Sequence, residues 1–285
     1  MPIALMTTER PPTPHELLTF YLEAGVDCAL DDEAVDRLAA SDARTVAPPL
    51  APAAQAPAAM GSAPPPAAPA FLPSAPPPPE VAIGSAVEAA RSAATLDQLR
   101  AAIEAFEGCA LKTTATQAVF ADGNPEARVM FVGEAPGREE DLEGRPFIGR
   151  AGKLLDRMMA AIGLDRTNAY IANIIPWRPP GNRDPAPHET QICLPFIKRH
   201  IELVNPAVIV CLGKPSTQAL LNVNEGIIRT RGRWFDYDTG SATIRAMPTF
   251  HPAYLLRQPM SKRQSWQDFR AIAKALAEVG DKPGA

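Results

Sequence analysis

Cysteine is scarce in this chain: Cys28, Cys109, Cys193 and Cys211 are the whole complement, and they stand far apart. Such spacing excludes a disulfide-framed secreted domain. No apolar run is long enough for a transmembrane helix, so no membrane partner is expected. The opening "MPIALMTTERPP" lacks the basic-then-apolar pattern of a secretory leader, and cytoplasmic residence is the resulting expectation. Two phosphate-binding signatures are missing as well. The loop after residue 133 has no Gly-Lys-Ser/Thr, which a Walker loop needs for phosphate and metal. Nor does it read GxGxxG, whose third glycine lets helix and strand pack closely.

Proline, by contrast, is in surplus. Its 32 residues are too many for one compact fold. Residues 46–79 concentrate 13 prolines and 12 alanines and carry no charge. Proline fixes φ and removes a donor, so this tract can build neither a helix ladder nor a sheet. The reading is a short helical arm at 1–45, a disordered Pro/Ala-rich linker at 46–86 and a folded domain at 87–285. The arm has an apolar face (Leu17, Leu18, Tyr21, Leu22), which suits a loosely ordered tail or a segment that docks on a protein partner. Charge divides the same way. Of 32 Asp/Glu and 28 Lys/Arg, ten acids and three arginines fall in residues 1–86, leaving 25 bases against 22 acids beyond. The net charge of −4 therefore does not exclude a nucleic-acid cleft in the C-terminal part.

Beyond the linker, apolar runs alternate with helical periodicity. "ARVMFVG", "AYIANIIP", "AVIVCLG" and "TIRAMPTF" read as strands, separated by helices such as "GKLLDRMMAAIGL" and "HETQICLPFIKRHIELV". A hairpin is expected through "IIRTRGRWFDYD". The first three strands are nearly unbroken apolar runs, as strands buried on both faces are. The expected fold is α/β: a three-layer α/β/α sandwich around a short four-stranded parallel sheet. Ligands of such sheets sit beyond the carboxyl ends of the strands.

The loops at those ends carry the unusual residues. "GEAPG" follows the first strand and places Glu134 directly after it, and "GRPFIG" presents Phe147 shortly afterwards. The second strand contains Asn173 and leads into "WRPPGNRDP"; the last ends in "FHPAYLLRQP" with His251. Each has an ordinary structural explanation: Phe147 as core, Asn173 as a helix-end hydrogen bonder, His251 as a loop fastener, "RPPGNR" as a stiff turn. Gathered at one mouth, they suit a flat polar heterocycle. Phe stacks on a ring, Asn offers both donor and acceptor, and His donates to a developing oxyanion. Arg178, Arg183, Arg257, Lys262 and Arg263 on or near these loops could follow a phosphate backbone. The combination points to a base drawn out of a nucleic-acid strand.

In order and spacing, "GEAPG", "EDLEGRPFIGRAGKLLDR", "YIANIIPWRPPGNRDP" and "HPAYLLRQP" resemble the motifs of the uracil-DNA glycosylases of family four, over roughly residues 105–280. The resemblance implies DNA repair: hydrolysis of the N-glycosidic bond of uracil in DNA, leaving an abasic site. It implies Phe147 stacked on the extruded uracil, Asn173 reading its edge, His251 bonding the oxygen that gains charge, and Glu134 holding the water. Backbone around Gly133, Ala135 and Gly137 would frame the pocket. Tyr254, Leu255, Leu256 and Arg257 would enter the duplex as a wedge. A monomer acting on uracil-containing DNA is expected.

The chain departs from that family at two places. Ala135 stands where the best-known uracil glycosylases carry an aspartate, which leaves two alternatives: Glu134 alone holds the water, or leaving-group stabilisation carries the reaction. The family also implies an iron–sulfur cluster on four cysteines. Here Cys109 and Cys193 remain as remnants, while Phe106 and Trp177 occupy the other two positions. Two thiolates are too few for a cubane cluster, so no cluster is expected. Two other readings stay open at this level: a non-catalytic module binding uracil or abasic sites, and a small-molecule nucleoside hydrolase.

Overall fold

The computed structural model describes residues 78–278. The arm expected at 1–45 and the linker up to residue 77 lie outside the described residues. The chain enters with helix α1 (Pro79–Ser92) and helix α2 (Leu96–Ala105). Strands β1 (Ala121–Gly123) and β2 (Val129–Gly133) follow, then helices α3 (Arg138–Glu143) and α4 (Arg150–Ala160). Next come β3 (Tyr170–Asn173), helix α5 (Pro187–Val204), β4 (Val208–Leu212), α6 (Lys214–Leu221) and the short α7 (Ile227–Thr230). Strands β5 (Phe235–Asp238) and β6 (Thr243–Thr249) precede helix α8 (Pro252–Arg257) and the closing helix α9 (Lys262–Glu278).

The sheet runs β1-β3-β2-β4-β6-β5. Its four central strands are parallel, as expected; β1 and β5 add antiparallel edges. The sheet is therefore six-stranded and mixed rather than four-stranded. The expected hairpin is also displaced. Ile227–Thr230 forms α7 instead, and β5 pairs with β6 across a turn at residues 239–242. Edge strands of three or four residues carry too short an alternation to be read from sequence.

The parallel strands bury both faces, and their side chains alternate between two cores. From β2, Met130 and Val132 join a cluster with residues of α1, α2 and α5, while Val129 and Phe131 join one with α4 and α9. All four are fully buried. The longer helices each contribute an apolar row. On α9, Phe269, Ile272 and Leu276 face the sheet at helical spacing.

Helix α1 corrects the linker's boundary. Residues 79–86, expected to belong to a disordered linker, are helical. Pro79 takes the N1 position, where its missing N–H costs nothing; Glu80 lies in the first turn and Arg91 in the last, complementing the dipole. Ala82, Ala86 and Ala90 form a buried row at intervals of four, small enough for the helix to lie close against α5. Ala82 and Ala86, which fall within the expected linker, are here packing surface. Ala86 has no exposed surface, so Ala86→Leu should overpack this contact and cost about 1–3 kcal/mol. The measurement is the thermal midpoint; an unchanged Tm would mean that this helix does not pack as described.

Candidate active site

The parallel register sets Gly133 at the end of β2 beside Asn173 at the end of β3. A Cβ at 133 would run into both Asn173 Oδ1 and the Phe147 ring. Glycine thus leaves the space in which an amide and an aromatic edge approach each other. Asn173 is buried, and its Oδ1 is without a hydrogen-bond partner among the described residues. A buried acceptor left unmet costs about 1–3 kcal/mol, which marks it as reserved for something that binds.

Phe147 is also held at a cost. Its φ of 55° is left-handed, a region that bulky residues avoid. Arg166 secures it, donating to the carbonyls of Pro146 (3.1 Å) and Phe147 while Asp156 and Asp122 anchor the guanidinium. Gly152 is required below, because a Cβ there would collide with the Phe147 carbonyl. The ring ends 5.5 Å from that of His251, tilted by 33°. Phe147 is consequently both nearly buried and part of a cavity wall.

Glu140 ties the first two loops together. Its carboxylate accepts from the backbone of Gly137 at 3.1 Å, Ile148 at 3.1 Å and Gly149 at 3.0 Å. Strand β6 delivers His251, which caps α8: its Nδ1 accepts the Ala253 amide at 3.1 Å. An Nδ1 acceptor places the proton of the neutral ring on Nε2, leaving that nitrogen to donate.

These groups enclose a cavity of about 430 Å³ lined by Glu134, Ala135, Gly137, Phe147, Asn173 and His251, together with Arg257. The size falls within the ~300–1,000 Å³ of small-molecule sites. A larger cavity, about 550 Å³ between α1 and α5, lies away from these loops and contains neither the orphaned amide nor the imidazole. Electrostatics distinguish the cavity of the strand ends further. Burial, and then the charge of Asp184, push the Glu134 carboxyl up to about 7. Burial, and then Arg257, push the His251 imidazole down to about 4, against a smaller opposing pull from Glu140. At neutral pH the imidazole is neutral and Glu134 is divided between its two forms. A pair pushed apart in this way is a frequent signature of acid–base sites.

The remaining expected residues divide. Arg257 and Arg183 both line the cavity and are exposed; Arg183 also forks onto the buried carboxylate of Glu189 (2.9 and 2.7 Å) and so fastens its own loop. Arg178 donates to Asn182 Oδ1 at 2.6 Å. Leu255, expected in the wedge, is fully buried and cannot meet DNA in this conformation; Leu256 is 37% exposed. Tyr254 leans on Phe250 at 4.9 Å. Lys262 and Arg263 are exposed at the start of α9, outside the cavity. Sequence reasoning missed Asn182, Asp184 and Glu140, all of which line the site. The Gly-Asn pair at 181–182, both left-handed, carried a turn signal. Nothing in the sequence showed that Asp184 would face Glu134.

Cys109 and Cys193 lie side by side and share a hydrogen bond; that bond and complete burial raise the Cys193 thiol well above its usual range. Phe106 stacks on Trp177 at 6.4 Å and meets Phe196 edge-on at 5.1 Å. All three rings are buried. Side chains fill the positions where the family's cluster would need two further thiolates, so the residues present do not fit a four-cysteine cluster. Among the described residues, no group of three or more His, Cys, Asp or Glu side chains is disposed to hold a metal ion. No helix among them is long and apolar enough to cross a membrane.

Removing the Asp184 charge should let Glu134 ionise more readily. Asp184→Asn should therefore move the Glu134 titration, followed by carboxyl-carbon NMR, below about 7 without restoring the ordinary value, since burial remains. An unshifted midpoint would remove Asp184 from the account.

Comparison with known proteins follows the same residues. The model of the uracil DNA glycosylase superfamily matches residues 120–273. A type-4 uracil-DNA glycosylase of Archaeoglobus fulgidus is 39% identical over 184 residues, which is 63% of this chain and 92% of the archaeal protein. Another from Thermotoga maritima is 43% identical over 150 residues, 52% of this chain and 77% of that protein. A third, from Saccharolobus solfataricus, is 39% identical over 187 residues, 64% of this chain and 87% of its own length. With its matched sheet, loops and cavity, the chain belongs to the uracil DNA glycosylase superfamily.

Proposed function

We propose that the protein excises uracil from DNA, hydrolysing the N-glycosidic bond of an extruded nucleotide to free uracil and an abasic site. The observation that carries this reading is the orphaned, buried Asn173 Oδ1 between the Phe147 ring and an imidazole whose free nitrogen is Nε2. Uracil presents a ring N–H to Oδ1, a carbonyl oxygen to the amide nitrogen, and a flat face to Phe147. As the bond from N1 to the sugar carbon breaks, its electron pair passes to uracil. Charge then grows on uracil's carbonyl oxygens, and His251 Nε2–H stabilises one of them. Water adds to the sugar carbon, and its proton passes to Glu134, whose raised pKa leaves a large fraction ionised near neutrality. A module that only bound uracil would have no use for a carboxylate poised in this way.

Packing of Phe106, Trp177 and Phe196 serves in place of an iron–sulfur cluster, and activity needs no iron. The enzyme acts as a monomer in the cytoplasm. Residues 1–45 are assigned to a protein partner rather than to DNA. Arg257, Tyr254 and Leu256 form the DNA-facing edge of α8. Release of free uracil from a labelled oligonucleotide, compared with release from deoxyuridine, tests the assignment. Release from the oligonucleotide alone is expected, and equal release from both would favour a nucleoside hydrolase.

Two substitutions test the roles. Asn173→Asp exchanges the amide donor for an acceptor. It should cut uracil far more slowly and relax discrimination against cytosine, a contrast worth about 1–3 kcal/mol for a bidentate pair. An Asp variant that cuts uracil at the normal rate would exclude Asn173 as the reader. His251→Ala removes a donor that matters when charge develops. Single-turnover rate should fall about 100- to 1,000-fold while affinity for uracil-containing DNA is largely kept; a defect confined to binding would contradict the role.

A further inference from the structure

A second cavity, about 260 Å³, lies between α4 and α9 on the far side of α8 from the first. Half-buried Leu154 and Met158 give it an apolar floor, backed by the fully buried Leu255 and Phe269, and Arg157, Lys262 and Trp266 stand at its rim. Trp266 is 45% exposed, unusual for a tryptophan with no role in the core. The volume is below the ~300 Å³ of a drug-sized pocket and suits one small flat group.

Two features identify its occupant. One is continuity: Ala253 and Arg257 of α8 wall the first cavity and Leu255 walls the second. A helix is about 10 Å across, roughly three steps of a DNA strand at ~3.4 Å each. The other is charge. Arg150, Lys153 and Arg157 are exposed at i, i+3 and i+7 of α4, on one face of the helix. That row starts beside Ala151 in the first cavity and ends at the rim of the second, where Lys262 continues it. None of these four cations forms an ion pair among the described residues. Unpaired cations leading from one flat-ring cavity to another match a phosphate backbone carrying bases.

We infer that the cleft between α4 and α9 is a second nucleotide subsite. It takes a base of the same DNA strand, a few nucleotides from the extruded uracil, against Trp266 and the apolar floor, with its phosphates on Arg157 and Lys262. The inference rests on the glycosylase reading for the identity of the strand. Stacking on an aromatic face tolerates any base, so the subsite adds affinity and reach rather than sequence choice.

The test compares two single-stranded substrates, a short one with a single nucleotide on either side of uracil and a long one that reaches the cleft. Trp266→Ala should raise the half-saturating concentration of the long substrate about tenfold and change that of the short one little; Trp266→Phe should recover most of the loss. Replacing Arg157 and Lys262 together by Gln should flatten the slope of log affinity against log salt by about 0.7 per cation on the long strand. The inference is overturned if the long-to-short ratio and the salt slope are unchanged in these variants, which would leave the cleft to a peptide. Equal losses on both substrates would overturn it too, as a general structural defect. Should the unaltered protein release no uracil from either substrate, the glycosylase reading falls instead; anisotropy on a long uracil-free strand then still tests the cleft.

Discussion

The site depends on an empty position. Gly133 ends β2 in register with Asn173, and the missing side chain makes room for the Asn173 amide and the Phe147 ring to share one small volume. Any other residue would fill that volume. The parallel arrangement then sets the loop after β6 at the same level, so that His251 meets Phe147 from the opposite wall. Strand register is a backbone property fixed by two buried faces, and this is why flexible-looking loops can be held to a fraction of an ångström.

The same enclosure governs the ionisable groups. Burial is the largest influence on both Glu134 and His251, and it favours the neutral form of each. For the carboxyl this raises the pKa and for the imidazole it lowers it. Asp184 and Arg257 extend the two displacements in the same directions. One physical cause therefore yields a carboxyl that is partly ionised near neutrality and an imidazole that remains uncharged. The neutral imidazole has its tautomer set by the first turn of α8.

On the opposite side of the sheet, the region where the family resemblance implies a metal cluster is packed with rings. Phe106 and Trp177 tie the end of α2 to the loop after β3, with Phe196 of α5 beneath them. Stacked aromatics contribute about 0.5–1.5 kcal/mol beyond their burial, and they join the same elements that cluster ligands would. The loop they hold continues through Arg183 and its fork to Glu189, and so to Asn182 and Asp184 at the cavity. In this way hydrophobic packing remote from the site orders one of its walls.

What the sequence determined by itself was whatever is periodic or local. Apolar runs, nearly unbroken in the first three, marked the four parallel strands, the strand ends and the loops beyond them carried Glu134, Phe147, Asn173 and His251, and helical spacing gave α4 and α5. Tertiary structure decided matters that local pattern does not encode. The Ala row of α1 acquires meaning only against α5, so a Pro/Ala-rich composition hid a helix. Leu255 and Leu256 are adjacent and chemically alike, and only the packing of α8 buries one and exposes the other. Arg183 is held at the cavity by Glu189, a partner that local pattern does not reveal. Asp184 and Glu134 are separated by two helices and a strand, and the charge of Asp184 reaches Glu134 only once β2 and β3 lie side by side. Periodicity records which face of an element is apolar. Which partner that face meets, and which charges are thereby brought together, is a property of the folded chain.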